Sequence, residues 1–161
     1  MAKRRKSKRF VSRGGDKLDG ALEAFGIDVR GAVAADLGAN VGGFTDCLLQ
    51  RGAGRVYAVD TGYGVLDWKL RQDGRVVVME RRNALHVSLP EPLDLVVIDA
   101  GWTPLGRIVP GAVALLGARG DVVALLKPEY EAEPFERERG VVLPDCLEGL
   151  IGRVIQGLER L

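Results

Sequence analysis

With 161 residues and 47% hydrophobic content, the chain can bury one compact core but not two ordinary domains. No stretch approaches the roughly 20 consecutive apolar residues of a membrane-crossing helix. The charged start Met1-Ala2-Lys3-Arg4-Arg5-Lys6 lacks the apolar segment of a secretory signal, so a soluble, cytoplasmic protein is expected. The net charge of +1 hides an uneven distribution, because Lys3, Arg4, Arg5, Lys6, Lys8, Arg9 and Arg13 precede the first acid and the remainder is acidic overall. This predicts a flexible basic tail over residues 1–11, followed by one domain over residues 12–161. Such a tail suits a polyanion, since each neutralised phosphate releases condensed counterions. A merely solvated terminus has the same composition.

In chain order, residues 16–25 read as a helix with Leu18, Ala21, Leu22 and Phe25 on one face and Gly26 as its left-handed cap. Apolar runs at 32–37, 56–59, 76–79, 93–98 and 121–126 lack strict alternation, the pattern of strands buried on both faces of a parallel sheet. Between them fall a helix at 44–51, a short turn-rich connection at 66–70 and a helix at 105–116. Asp145 and Glu148 form a variant capping box opening a last helix that runs to Leu161. The order implies right-handed crossovers and an α/β, doubly wound, Rossmann-like fold of about five mostly parallel strands flanked by helices. Residues 129–139, mixed in charge, read as a solvated loop able to close over a substrate. Cys47 and Cys146 lie in helical patterns without metal-ligand spacing and read as buried apolar side chains, so neither a disulfide nor a metal site is expected.

The segment Asp36-Leu37-Gly38-Ala39-Asn40-Val41-Gly42-Gly43-Phe44-Thr45 follows the first strand and opens a helix. Glycines there permit a tight turn and close approach of a ligand to backbone, and the helix start offers free N–H groups. Asp60 ends the second strand, where an acid can accept two hydrogen bonds from a ribose diol. The Gly38-x-x-x-Gly42 spacing departs from GxGxxG and suits S-adenosylmethionine better than a pyrophosphate; NAD is the rival, and glycines serving only packing are a third reading. Asp99 and Lys127 end the fourth and fifth strands. Opposite charges on neighbouring strand ends beside a cofactor loop point to chemistry.

The segments Phe10-Val11-Ser12-Arg13-Gly14-Gly15-Asp16-Lys17-Leu18, Gly42-Gly43-Phe44-Thr45-Asp46-Cys47-Leu48-Leu49-Gln50-Arg51-Gly52-Ala53, Tyr63-Gly64-Val65-Leu66-Asp67-Trp68-Lys69-Leu70-Arg71 and Lys127-Pro128-Glu129-Tyr130-Glu131 resemble the TlyA haemolysin-like group of ribosomal RNA 2′-O-methyltransferases, a branch of the FtsJ-like methyltransferases. The resemblance implies methylation of a ribose 2′-oxygen in structured RNA by S-adenosylmethionine. It implies a lysine-aspartate-lysine-glutamate set of which Lys17, Asp99 and Lys127 match three members. In that set Lys127 assists removal of the hydroxyl proton while Asp99 and Lys17 orient it; nearby cations lower and Asp99 raises the lysine's proton affinity, and the sequence leaves the balance open. Asn83 matches a position near the adenine. The cofactor residues implied are therefore Asp36, Gly38, Ala39, Asn40, Gly42, Gly43, Phe44, Asp60, Asn83 and Asp99. The group's small RNA-binding domain ahead of Val11, its last strands and its final glutamate have no counterpart, so a C-terminally truncated sheet is expected. Asp99-Ala100-Gly101-Trp102-Thr103-Pro104-Leu105 also departs from the group's usual serine-containing sequence.

Two functions compete: a methyltransferase acting on ribosomal RNA or a ribosomal subunit, and a catalytically silent module binding S-adenosylmethionine or RNA. Membrane lysis finds no lytic amphipathic segment. Trp102 fits either stacking on a flipped nucleotide or plain packing, Trp68 and Tyr63 read as shaping the cofactor loop, and His86 has no partner motif. The fifth run, apolar on both faces, lacks the charges of an edge strand, so self-association through an open edge is expected.

Overall fold

The computed structural model describes residues 9–161; residues 1–8, which carry most of the basic tail, lie outside the described residues. Five parallel strands form one sheet: β1 (Val33–Leu37), β2 (Arg55–Val59), β3 (Val76–Met79), β4 (Leu93–Ile98) and β5 (Leu116–Ala124), in the order β3-β2-β1-β4-β5. The chain builds outwards from β1 to β3, then crosses to β4 on the other side. This reversal makes the carboxyl ends of β1 and β4 the switch point, where an open α/β sheet leaves a crevice. In β1, Ala34 packs on one side of the sheet and Ala35 on the other, both fully buried. Burial on both faces is why the strand sequences do not alternate.

One face is covered by α1 (Gly14–Phe25) and α2 (Gly43–Gln50), through Leu18, Leu22, Phe44 and Leu48. The other is covered by α4 (Leu105–Ala114), through Leu105, Ile108 and Ala112, with Val154 and Leu158 of α6 (Pro144–Leu158) packed alongside. Two short helices, α3 (Trp68–Arg71) and α5 (Pro128–Glu131), sit after β2 and β5. No helix among the described residues is long and apolar enough to cross a membrane. Cys47 is buried, and burial pushes its thiol up to about 12.

Several expectations need correction. Phe10 is buried in the core and Val11 N–H donates to Asp46 Oδ2 at 2.8 Å, so the folded unit begins before residue 12. Phe25 is 68% exposed, because α1 outruns the shorter α2 on which it packs. Helix α6 is not opened by an Asp145 capping box: its N-cap is Leu143, with Pro144 at the first helical position, where a missing N–H costs nothing. The capping box lies instead in the 3-10 turn Pro134–Glu136, between Glu133 and Glu136. Residues 129–139 are not a simple solvated loop. Glu136 is buried and receives two hydrogen bonds from Arg153 of α6 at 2.8 and 2.7 Å, which hold its carboxyl down to about 2, and β6 (Arg137–Glu138) pairs with β7 (Val141–Val142). In β5 the regular pairing with β4 begins at Asp121, after a register irregularity, and β5 forms the sheet edge among the described residues.

Candidate cofactor and catalytic site

Asp36 lies in β1 with no exposed surface. Its Oδ2 accepts the Thr45 N–H at 2.9 Å and the Thr45 hydroxyl at 2.7 Å, both from the first turn of α2. Its Oδ1 is buried with no partner among the described residues. Burial dominates and pushes the carboxyl up to about 7; the Thr45 bonds pull it down, and the Asp99 and Asp60 carboxylates push it further up. A half-paired buried acid thus stands against the cavity wall without exposing surface of its own.

The turn after β1 explains two glycines differently. Gly38 has φ +93, and a Cβ there would stand 2.9 Å from both the Ala100 Cα and the Asp99 carbonyl oxygen. Only glycine lets the loop after β1 touch the end of β4. Gly42 has φ +100, and its Cβ would fall 2.3 Å from Leu70 Cδ1 and 2.7 Å from Leu66 Cδ1. Its role is packing beneath the loop, and it does not border the cavity. Leu66 and Leu70, rather than the exposed Tyr63 and Trp68, thus shape the loop from behind.

Asp60 follows β2. Its Oδ2 accepts the Asn40 N–H at 2.8 Å and its Oδ1 the Gly62 N–H at 2.7 Å. Each oxygen keeps a second lone pair, so the fixed carboxylate can receive a vicinal diol. Asn83 Oδ1 accepts the Leu85 N–H at 3.0 Å, which fixes its amide and leaves the NH2 group for a ligand.

At the other end, Asp99 and Lys127 meet. Lys127 Nζ lies 2.6 Å from Asp99 Oδ1 and also donates to the Asp99 and Ala100 carbonyl oxygens at 3.3 and 3.4 Å. Three oxygens on one side therefore orient the ammonium. Lys17 of α1 is exposed, borders the same space and forms no ion pair among the described residues. Apart from Gly42, every residue singled out from the sequence for catalysis or cofactor binding borders one cavity of about 820 Å³.

Sequence reasoning missed Thr45, which holds Asp36, and Tyr130, which borders the cavity; both stand inside quoted motifs, the only signal that would have found them. Trp102 is 87% exposed at φ +61, with its ring centroid 5.3 Å from that of Tyr130. Such exposure removes the plain-packing reading. His86 lies exposed in a 3-10 turn away from the cavity wall. Among the described residues no group of three or more His, Cys, Asp or Glu is arranged to hold a metal ion.

Comparison with known proteins agrees with this geometry. The FtsJ-like methyltransferase model matches residues 10–150. The 16S/23S rRNA (cytidine-2′-O)-methyltransferase TlyA of Mycobacterium tuberculosis is 46% identical over 140 residues, covering 84% of this chain and 52% of that protein. Hemolysin A of Brachyspira hyodysenteriae is 39% identical over 141 residues, covering 85% of this chain and 59% of that protein. The chain spans about half the length of the curated relatives it matches. A solved structure from Lactococcus lactis, described provisionally as a hemolysin, is 37% identical with a TM-score of 0.89, covering 95% of this chain and 76% of that one.

Proposed function

The chain belongs to the FtsJ-like methyltransferase family, and from that premise we propose that it methylates a ribose 2′-oxygen in ribosomal RNA with S-adenosylmethionine as donor. The observation that carries this is one cavity bordered by Asp36, Asp60 and Asn83 together with Asp99, Lys127 and Lys17. The residues present fit the cofactor. The unpaired Asp36 Oδ1 suits its ammonium group, the Asp60 carboxylate its ribose diol, and the Asn83 amide its adenine edge. When bound, S-adenosylmethionine supplies an electrophilic methyl group on a sulfonium.

The remaining work falls to the chain's own side chains. Lys127, held by Asp99, faces the 2′-hydroxyl and assists removal of its proton by stabilising the developing oxyanion as the proton passes to solvent and the oxygen takes the methyl, while Lys17 and Asp99 orient that hydroxyl. Holding the hydroxyl in line supplies much of the acceleration such a transfer needs. Trp102 offers an exposed ring for the target base, and base-aromatic stacking contributes about 1–3 kcal/mol. The relatives' names specify a cytidine, which we carry over as the target nucleotide. A ribosomal substrate implies work in the cytoplasm. Pairing of two copies along the outer edge of β5 belongs to the same proposal, and a dimer mass in light scattering would support it while a monomer mass would remove it.

The test is transfer of tritiated methyl from S-adenosylmethionine to ribosomal subunits, followed by mapping of the modified ribose. Transfer to a 2′-oxygen that disappears in Lys127→Ala supports the reading. Cofactor binding without transfer by the parent chain replaces it with that of a silent binding module.

A further inference from the structure

The two strand ends that carry Asp99 and Lys127 are tied a second time, at a distance from their ion pair. Helix α4 begins at Leu105 after Pro104, an N-cap residue with no side chain able to accept a hydrogen bond. The Leu105 N–H is instead taken by Glu131 Oε1, at 2.7 Å, from the last residue of α5. A carboxylate also suits the positive end of the ten-residue helix.

A closed ring of contacts results. It runs from Asp99 along residues 100–104 to Leu105, across to Glu131, back through α5 to Lys127, and across the 2.6 Å ion pair to Asp99. Within the ring Trp102 meets Tyr130, 5.3 Å between centroids. Each arm has little internal support: the loop one hydroxyl bond from Thr103 to the Gly101 carbonyl at 3.3 Å, α5 a single turn. Helix α5 has four residues and one internal turn, and Trp102 sits at φ +61, a conformation bulky residues keep only when their surroundings impose it. The upstream end of the loop is fixed by Asp99 N–H donating to the Leu37 carbonyl at 3.1 Å. The Leu105–Glu131 bond fixes the downstream end.

We propose that Glu131 is a positioning residue that, by capping α4, sets where the Trp102 ring stands relative to the Lys127 ammonium. The kinetic consequence rests on the methyltransferase reading; the structural one does not. Glu131 touches neither cofactor nor ribose in this scheme. Its loss should therefore slow transfer rather than weaken cofactor binding, since displacement of reacting groups by about 1 Å can cost on the order of a hundredfold.

The chain contains two tryptophans, so Trp68→Phe makes Trp102 the only fluorescent indole. In that background the full chain is compared with Glu131→Ala and Glu131→Gln. The readouts are time-resolved fluorescence anisotropy, S-adenosylmethionine affinity by calorimetry, and single-turnover methyl transfer to ribosomal subunits. Glu131→Ala should enlarge the sub-nanosecond anisotropy decay and slow transfer about tenfold or more, with cofactor affinity within about twofold. Glu131→Gln keeps a carbonyl oxygen for the Leu105 N–H and should restore both. Should the alanine variant fail to fold, Glu131→Asp, one methylene short of that N–H, carries the same expectation. Unchanged anisotropy overturns the proposal whatever the activity, as does altered anisotropy with an unaltered rate in an active chain. A parent chain that transfers no methyl while the anisotropy responds overturns the methyltransferase reading and the positioning role with it, and leaves the tie between α4 and α5 standing.

Discussion

Asp36→Asn exchanges a buried carboxylate for a neutral amide of nearly the same shape. The amide oxygen can still accept from Thr45, and its NH2 group takes the place of the unpaired Oδ1. In the folded chain the acid ionises at about 7 instead of the ordinary 3.8, chiefly because of burial. That displacement corresponds to at most about 4 kcal/mol in favour of the neutral form. Because the folded value is raised, the associated stability is complete below pH 3.8 and is lost as pH rises through about 7. The unliganded parent should therefore lose stability between about pH 4 and 7 and little more above that, and the asparagine variant should lack that part of the slope. At pH 8 the variant should melt several degrees higher, at roughly 2–4 °C per kcal/mol for a chain near this size. Cofactor binding should move the other way. Losing a carboxylate opposite an ammonium costs about 1.5–3 kcal/mol, roughly tenfold to a hundredfold in affinity. Binding to the parent just below pH 7 should release a proton, visible when calorimetry is repeated in buffers of different ionisation enthalpy. A variant that melts no higher at pH 8 and binds S-adenosylmethionine as tightly as the parent would refute both the buried anion and its role in the site.

Asp60→Ala should weaken S-adenosylmethionine binding by about 1–3 kcal/mol in calorimetry, through loss of charge-assisted hydrogen bonds; an unchanged affinity removes Asp60 from the site. Gly42→Ala should lower the melting temperature, because the added methyl meets Leu66 and Leu70 at a positive φ, with a loss of about 1–3 kcal/mol. Trp102→Ala should raise the KM for RNA while Trp102→Phe keeps most of the affinity, and neither should alter cofactor binding. Deleting residues 1–8, which hold five of the cations, should flatten the dependence of RNA affinity on salt; an identical slope would make the tail a bystander.

What the sequence made legible was local. The five strands, the loop from Asp36 to Phe44 and the acid after β2 all announce themselves within a dozen residues, because strand burial and turn chemistry are written in neighbouring positions. Asp99 and Lys127 were found as strand ends, and their 2.6 Å meeting follows from β4 and β5 being adjacent. What stayed hidden depended on contacts across the chain. Phe25 carries the right helical spacing, yet its exposure depends on the length of the neighbouring α2. Glu136 reads as one acid in a mixed run until Arg153, on another helix, fixes it. Gly42 looked like a place for a ligand, and only the positions of Leu66 and Leu70 reveal a packing role. The Asp145 cap failed because Pro144 competes for the same helix start one residue earlier.

The contact of Gly38 with the end of β4 makes this pair of strands a ruler. The span from Asp36 in β1 to Asp99 at the end of β4 is set by neighbouring backbones so close that a Cβ on Gly38 would stand 2.9 Å from Ala100 Cα. Side-chain substitutions around the cavity can change its lining but not that span. Closing it further is blocked by repulsion, and opening it would require breaking the β1–β4 ladder in the middle of the sheet, among the last hydrogen bonds to open in such a fold. That end of the cavity is therefore a gauge that the protein cannot reset by breathing.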